Sequence, residues 1–217
     1  MRKELKKFLT KYKVKTYTKG ELILCDGEAP TSAYIIKKGI VKIFDLSAGG
    51  VEKPISFDVS NEVFPTSWIF GISKRTHYFY EAFSDCQIFL VPRDDYLNFI
   101  QNNQELLVDQ LYSYAYRHFN YELCAYAQSR AELSQKLLNM LYFLALRFSK
   151  TNQHDLTKTS VPIKDQDMAL FVNEPLKIVR TELKKLEKNG VIARRFGQYS
   201  INTTKLHLLL EESIDAG

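Results

Sequence analysis

Cysteine, histidine and long apolar runs are all scarce in this sequence, and each scarcity removes a class of protein. The three cysteines, Cys25, Cys86 and Cys124, lie far apart and form no C-x-x-C pair. A disulfide framework and a thiolate metal site are therefore not expected, and reduced thiols in a cytoplasmic setting fit best. The four histidines show no H-x-H or H-E-x-x-H spacing, so neither a metal site nor any cofactor is expected. No run approaches the roughly 18 apolar residues that a bilayer-spanning helix needs, and no membrane partner is expected. Met1-Arg2-Lys3-Glu4 opens no long apolar stretch, which argues against a secretory signal.

What remains is an ordinary globular composition in 217 residues, 45% apolar and 25% charged, long enough for one large domain or two small ones. Thirteen Tyr and 14 Phe against a single Trp supply a large, stiff core. The net charge of +5 is unevenly placed. Residues 1–20 carry 8 basic and 1 acidic side chain and residues 174–205 carry 8 and 3, leaving 14 basic and 21 acidic elsewhere. Two basic segments on an acidic body form the electrostatic pattern expected of a nucleic-acid binder.

From Thr16 to Val91 the chain reads as short strands. Tyr34-Ile35-Ile36, Ile40 to Phe44 and Ile55 to Val59 are rich in β-branched and aromatic residues, Gly20, Gly27, Gly39 and Gly49-Gly50 punctuate them, and Tyr78 to Val91 adds two more. An antiparallel sandwich or barrel is expected. After Pro92 the pattern turns helical, with Asp94-Asp95 suited to a first turn. From about Gln104 to Gln128 there is neither Gly nor Pro, and Leu107, Leu111, Tyr114, His118, Tyr121 and Ala125 recur at spacings of 3 and 4. That stripe is expected to be a dimer seam, the alternative being packing on the β-domain. Ser129-Arg130-Ala131-Glu132 has capping-box spacing and is expected to start the next helix, running to about Ser149. Lys150 to Ser160 then reads as a loop, or as a hairpin with the strand around Val161-Pro162-Ile163.

Residues 165–189 carry the most specific signal. Asp165 is expected to cap a short helix holding Met168, Ala169, Phe171 and Val172, and Asn173-Glu174 to turn through left-handed backbone. Pro175 suits the start of a second helix, with Leu176, Val179, Leu183 and Leu186 inward and Lys177, Arg180, Thr181, Lys184 and Lys188 outward. Asn189-Gly190 suits its end. Val191 to Arg195, then Phe196-Gly197-Gln198 and Tyr199 to Ile201, read as a hairpin. Two short helices and a hairpin with a basic outer face make a winged helix-turn-helix.

From about Tyr17 to Ile201 the chain resembles the CRP/FNR superfamily of bacterial transcription regulators. The resemblance rests on Lys19-Gly20-Glu21-Leu22-Ile23-Leu24, on Tyr34 to Ile43, on Val91-Pro92-Arg93-Asp94-Asp95-Tyr96, on Leu137-Leu138-Asn139 and on the register from Ile163 to Ile192. It implies an α+β protein: an antiparallel, cyclic-nucleotide-binding-like β-roll with flanking helices over 1–101, a dimerisation helix over 102–128, and a winged helix-turn-helix over 129–217. It also implies a homodimer on palindromic double-stranded promoter DNA, with RNA polymerase as a further partner and no enzymatic activity.

The family's nucleotide cassette is degenerate here. Its Gly-Glu pair falls on Pro65-Thr66, and proline has no amide to donate while threonine is no carboxylate. Its Arg-Ser pair falls on Thr76-His77, with Arg75 one place away. Cyclic AMP or GMP response is therefore not expected, and the pattern is closest to PrfA-like members; an unidentified small-molecule effector stays open. No cysteine lies in residues 1–24 to hold an iron–sulfur cluster. The start of the second helix, Pro175-Leu176-Lys177-Ile178-Val179, also differs from the family's Ser-Arg-Glu-Thr-Val. DNA binding is expected to use Pro175, Leu176, Lys177, Arg180 and Thr181, with Lys184, Arg194 and Arg195 nearer phosphates. Two other classes remain open from sequence: a cupin-type β-roll enzyme, whose close-set histidines are missing, and an interaction module that binds protein and not DNA.

Overall fold

A computed structural model describes residues 3–149, 158–195 and 197–215. The chain forms two compact units, Met1–Arg117 and His118–Gly217, which are described in turn. The greater part of the expected loop from Lys150, and Phe196 of the hairpin, lie outside the described residues.

The first unit opens with helix α1 (Lys3–Leu9) and continues through eight strands: β1 (Val14–Tyr17), β2 (Leu22–Leu24), β3 (Ala33–Lys38), β4 (Ile40–Leu46), β5 (Glu52–Val59), β6 (Val63–Phe64), β7 (Phe79–Ala82) and β8 (Cys86–Val91). A short helix, α2 (Thr66–Ile69), interrupts the series, and α3 (Arg93–Gln101) follows it. The strands make two four-stranded antiparallel sheets, ordered β1-β8-β3-β6 and β2-β7-β4-β5. The period-2 alternation of β3 shows how the sequence builds two cores. Tyr34 and Ile36 join a cluster with Tyr17, Ile43, Phe64, Tyr80 and Ile88, while Ala33 and Ile35 join another with Leu5, Phe8, Val91, Tyr96 and Ile100. Two-sided burial explains why this strand reads as an unbroken apolar run. Between β3 and β4, Gly39 takes φ 108°, and a Cβ there would lie 2.6 Å from the Asp85 carbonyl oxygen and from Cys86 Sγ. Only glycine fits that turn.

Helix α4 runs from Gln104 to Ser129, and the boundary between the units falls within it. The capping box expected at Ser129–Glu132 does not form. Ser129 is still the last turn of α4, its hydroxyl donating to the Tyr126 carbonyl at 2.8 Å, so it lacks the extended backbone a cap requires. Helix α5 starts later, at Leu133, and ends at Phe148.

The second unit places α5 against α6 (Asp165–Val172), α7 (Leu176–Lys188) and α8 (Thr203–Asp215), with a three-stranded antiparallel sheet ordered β10-β11-β9. Its strands are β9 (Thr159–Val161), β10 (Ile192–Arg195) and β11 (Gln198–Ile201). Leu137, Leu141, Leu144, Phe171, Val179, Leu183 and Ile201 are fully or almost fully buried and fix the positions of α6 and α7.

Candidate nucleic-acid interface

The turn between α6 and α7 follows from three residues. Asn173 adopts φ 54°, ψ 48°, the left-handed geometry that terminates a helix. The Glu174 amide then donates back to the Ala169 carbonyl at 3.1 Å, and the Glu174 carboxylate accepts from Lys136 Nζ of α5 at 2.7 Å. Pro175, expected at the first helical position, instead caps α7 from one place before it, with φ −58° and ψ 132°, and its fixed φ and missing amide suit that entrance. At the start of α6 the cap is Lys164, whose amide donates to Asp167 Oδ2 at 2.9 Å. Asp165 is therefore the first helical residue and not the cap, a correction to the sequence reading: its carboxylate is engaged elsewhere.

Of the residues expected to meet DNA, Pro175, Lys177, Arg180, Thr181, Lys184 and Arg195 are exposed, and Leu176 and Arg194 are half-buried. Lys177, Arg180, Thr181, Lys184 and Lys188 share one outward arc of α7, opposite buried Val179 and Leu183. The hydroxyl of exposed Thr181 donates to the Lys177 carbonyl at 3.1 Å. Ile178 was missed by the sequence reading. It is 49% exposed in the first turn of α7, at the edge of the outward arc and away from buried Val179 and Leu183, and no local pattern marked it.

Arg194 is held internally. Glu187 accepts from its Nε at 3.1 Å and its Nη2 at 2.6 Å, and Asp165 accepts from its Nη1 at 3.1 Å. The hydrogen bond to Arg194 holds Glu187 below the usual carboxylate range, and the same bond raises the guanidinium pKa. Asp165 also accepts from Tyr199 Oη at 2.6 Å and from Arg180 Nε at 3.3 Å. Burial pushes the Tyr199 hydroxyl far up, and the bond to Asp165 adds to the shift. Asp165 is thus a hub, another residue the sequence reading assigned to a different role.

The residues of the degenerate pocket divide into two groups. Pro65 precedes α2, its carbonyl accepting from the Ile69 amide, and Thr66 begins that helix. Arg75 Nη1 donates to the Gly27 carbonyl at 2.7 Å, buried Thr76 donates to the Cys25 and Glu28 carbonyls, and His77 meets Ser73 Oγ at 2.9 Å. Among the described residues no hydrogen bond joins the two groups. Inside the roll, Phe64 stacks between Tyr34 and Tyr80 at centroid distances of 5.4 and 5.0 Å. Cys86 is buried in the same cluster.

On α4 the expected seam is only partly exposed. Leu107, Leu111, His118 and Ala125 face solvent, and His118 lies 3.4 Å from Glu122. Tyr114 turns inward, packing edge-on to Phe70 at 5.3 Å and lying 3.5 Å from Tyr96 Oη; Tyr121 is half-buried. The solvent-facing apolar arc contains Leu107, Val108, Leu111, Tyr112, Phe119 and Tyr126. Below it, Arg117 is buried, donating to the Val63 carbonyl at 2.9 Å and pairing with fully buried Asp58 at 3.1 Å.

Comparison with known proteins agrees with this geometry. Residues 14–103 match the family of cyclic nucleotide-binding domains. No curated protein matches the sequence. Among solved structures the chain is similar to FixK2 of Bradyrhizobium japonicum (TM-score 0.71, 18% identity, 91% of this chain and 96% of that one). It is also similar to the c-di-GMP-responsive global regulator CLP of Xanthomonas campestris (0.67, 16%, 91% and 97%) and to a CRP/FNR-family transcriptional regulator of Thermus thermophilus (0.64, 17%, 92% and 98%). The fold is that of the CRP/FNR regulators: an antiparallel cyclic-nucleotide-binding-type domain, a long helix and a winged helix-turn-helix.

Proposed function

We propose that the protein is a homodimeric, sequence-specific DNA-binding transcription regulator, acting in the cytoplasm on a palindromic promoter site and not as an enzyme. The observation that carries this reading is the outer arc of α7. Lys177, Arg180, Thr181, Lys184 and Lys188 project together from a helix whose opposite side is locked into the core. Lysines with no ion-pair partner among the described residues are suited to phosphates, and an arginine or a threonine on the same arc to base edges. Arg195 on β10 adds a phosphate contact from the hairpin. Arg194 supports the hairpin from within, because Glu187 and Asp165 already engage its guanidinium. The second copy docks on α4 through Leu107, Val108, Leu111, Tyr112, Phe119 and Tyr126, an apolar face of heptad-like spacing that suits another copy of itself. RNA polymerase is the expected partner on the promoter.

The effector domain does not respond to cyclic AMP or GMP, which is the PrfA-like character. Pro65 and Thr66 lack the required groups, Arg75 is committed to a loop carbonyl, and stacked aromatics occupy the inside of the roll. An unidentified small molecule remains open as effector. Binding-site selection from a random duplex pool tests the reading. The expected product is a two-fold symmetric motif with half-sites about one DNA turn, 34–36 Å, apart. Recovery of no motif, or of an asymmetric one, contradicts it. Calorimetry with cyclic AMP and cyclic GMP is expected to give no saturating heat at micromolar concentrations.

A further inference from the structure

Asp165 lies at the centre of a three-way junction between α6, α7 and the hairpin. Its Oδ1 accepts from buried Tyr199 at 2.6 Å, and its Oδ2 accepts from Arg194 Nη1 at 3.1 Å and from Arg180 Nε at 3.3 Å. Arg194 is in turn gripped by Glu187 at two nitrogens. The carboxylate is thus fixed from two sides by groups that are themselves anchored, while Arg180 is 51% exposed at its side chain. The contact engages Arg180 at Nε alone. Among the described residues the Nη1 and Nη2 groups meet no acceptor, and those two nitrogens are the pair that an arginine offers to O6 and N7 of a guanine.

We infer that Asp165 is a positioning residue for base reading: it holds the Arg180 guanidinium by its Nε so that the paired Nη groups face a guanine in the major groove. This rests on the DNA-binding reading above and names how one of its residues acquires specificity. A flexible arginine reaches phosphates as readily as bases, and holding the fork in one orientation removes rotamer freedom before DNA arrives. The negative charge of Asp165 also disfavours non-specific approach of phosphates, so the same group sharpens discrimination in two ways.

The test is anisotropy titration of wild type, Asp165→Asn, Arg180→Ala and the double variant on the selected duplex, on duplexes altered at each half-site position, and on random DNA. Asp165→Asn is expected to lower discrimination about tenfold at one base pair per half-site while random DNA is held as tightly as before or more tightly. Combined with Arg180→Ala it is expected to cause no further loss. Equal shifts on specific and random DNA, or a further loss in the double variant, would overturn the inference. Failure of the wild type itself to prefer the selected duplex would instead overturn the DNA-binding reading, and the inference with it. Should Asp165→Asn not fold, Tyr199→Phe removes only the hydroxyl that fixes the carboxylate. It is then expected to show the same loss at the same base pair, about threefold, and an unchanged base preference would count against the inference.

Discussion

Arg117 shows how much of this protein is decided by single buried groups. Its guanidinium reaches from α4 to the Val63 carbonyl and to Asp58, which has no solvent exposure. Removing one partner of such a pair strands a buried charge, so Arg117→Ala is expected to destabilise the first unit by about 3–5 kcal/mol. Trp68 is the only tryptophan and packs beside the helical core of that unit, so urea unfolding followed by its fluorescence reads the loss directly. A change below about 1 kcal/mol would mean that the pair is not buried in solution. Neither residue was singled out from sequence, because 59 positions separate them and nothing local marks either as buried. The same limit applies to Asp165. Helix-start chemistry explained an acidic residue there, whereas its partners Arg180, Arg194 and Tyr199 come from three other places in the chain. On α7, where contacts follow from the helical period alone, the outward arc was legible. Changing Arg180 to Ala is expected to cost about 1–3 kcal/mol on the selected site and much less on random DNA, measured by competition binding.

At the scale of the element, α4 is the place where periodicity was informative and incomplete. The 3- and 4-residue spacing predicted the helix over Gln104–Gln128 almost to its observed ends. It could not choose between neighbouring stripes, since apolar residues surround nearly the whole helix. The choice falls to tertiary packing: Tyr114 is drawn toward Tyr96 and Phe70, which rotates Val108, Tyr112, Phe119 and Tyr126 into solvent. The prediction for the seam changes accordingly. Leu111→Glu with Phe119→Glu is expected to yield monomers in sedimentation velocity, whereas Tyr114→Phe leaves the dimer intact. A dimer that survives both charged substitutions would place the interface on another element. Strand order was less legible than strand existence. The pairings β1 with β8 and β2 with β7 close over more than 50 residues, and no local pattern specifies such partners.

The whole molecule carries a pH dependence written in its tyrosines. Burial raises the Tyr17 hydroxyl to about 12, and raises Tyr34, Tyr96, Tyr114 and Tyr199 as well. A raised folded-state pKa means that the unfolded chain ionises first. The corresponding stability is fully present below the ordinary tyrosine pKa near 10 and is lost as pH rises from there through the folded values. Alkaline unfolding is therefore expected to begin above about pH 10, with ultraviolet absorbance showing tyrosinate appearing together with loss of structure. Early, reversible ionisation of these tyrosines in a folded chain would contradict their burial. On the acid side, Glu187 is held low by Arg194, so its contribution is present above the ordinary carboxylate range and lost as pH falls through the folded value. The uneven charge of the whole chain bears most directly on function. Fluorescence anisotropy of a labelled duplex carrying the selected site, repeated across salt concentrations and against a scrambled duplex, reads affinity, specificity and phosphate contacts together. The account predicts two chains per duplex, a preference of at least about 10³-fold over the scrambled sequence, and affinity that falls steeply with salt, less steeply by about one unit in Arg195→Ala. Equal binding to both duplexes, or none to either, would contradict it.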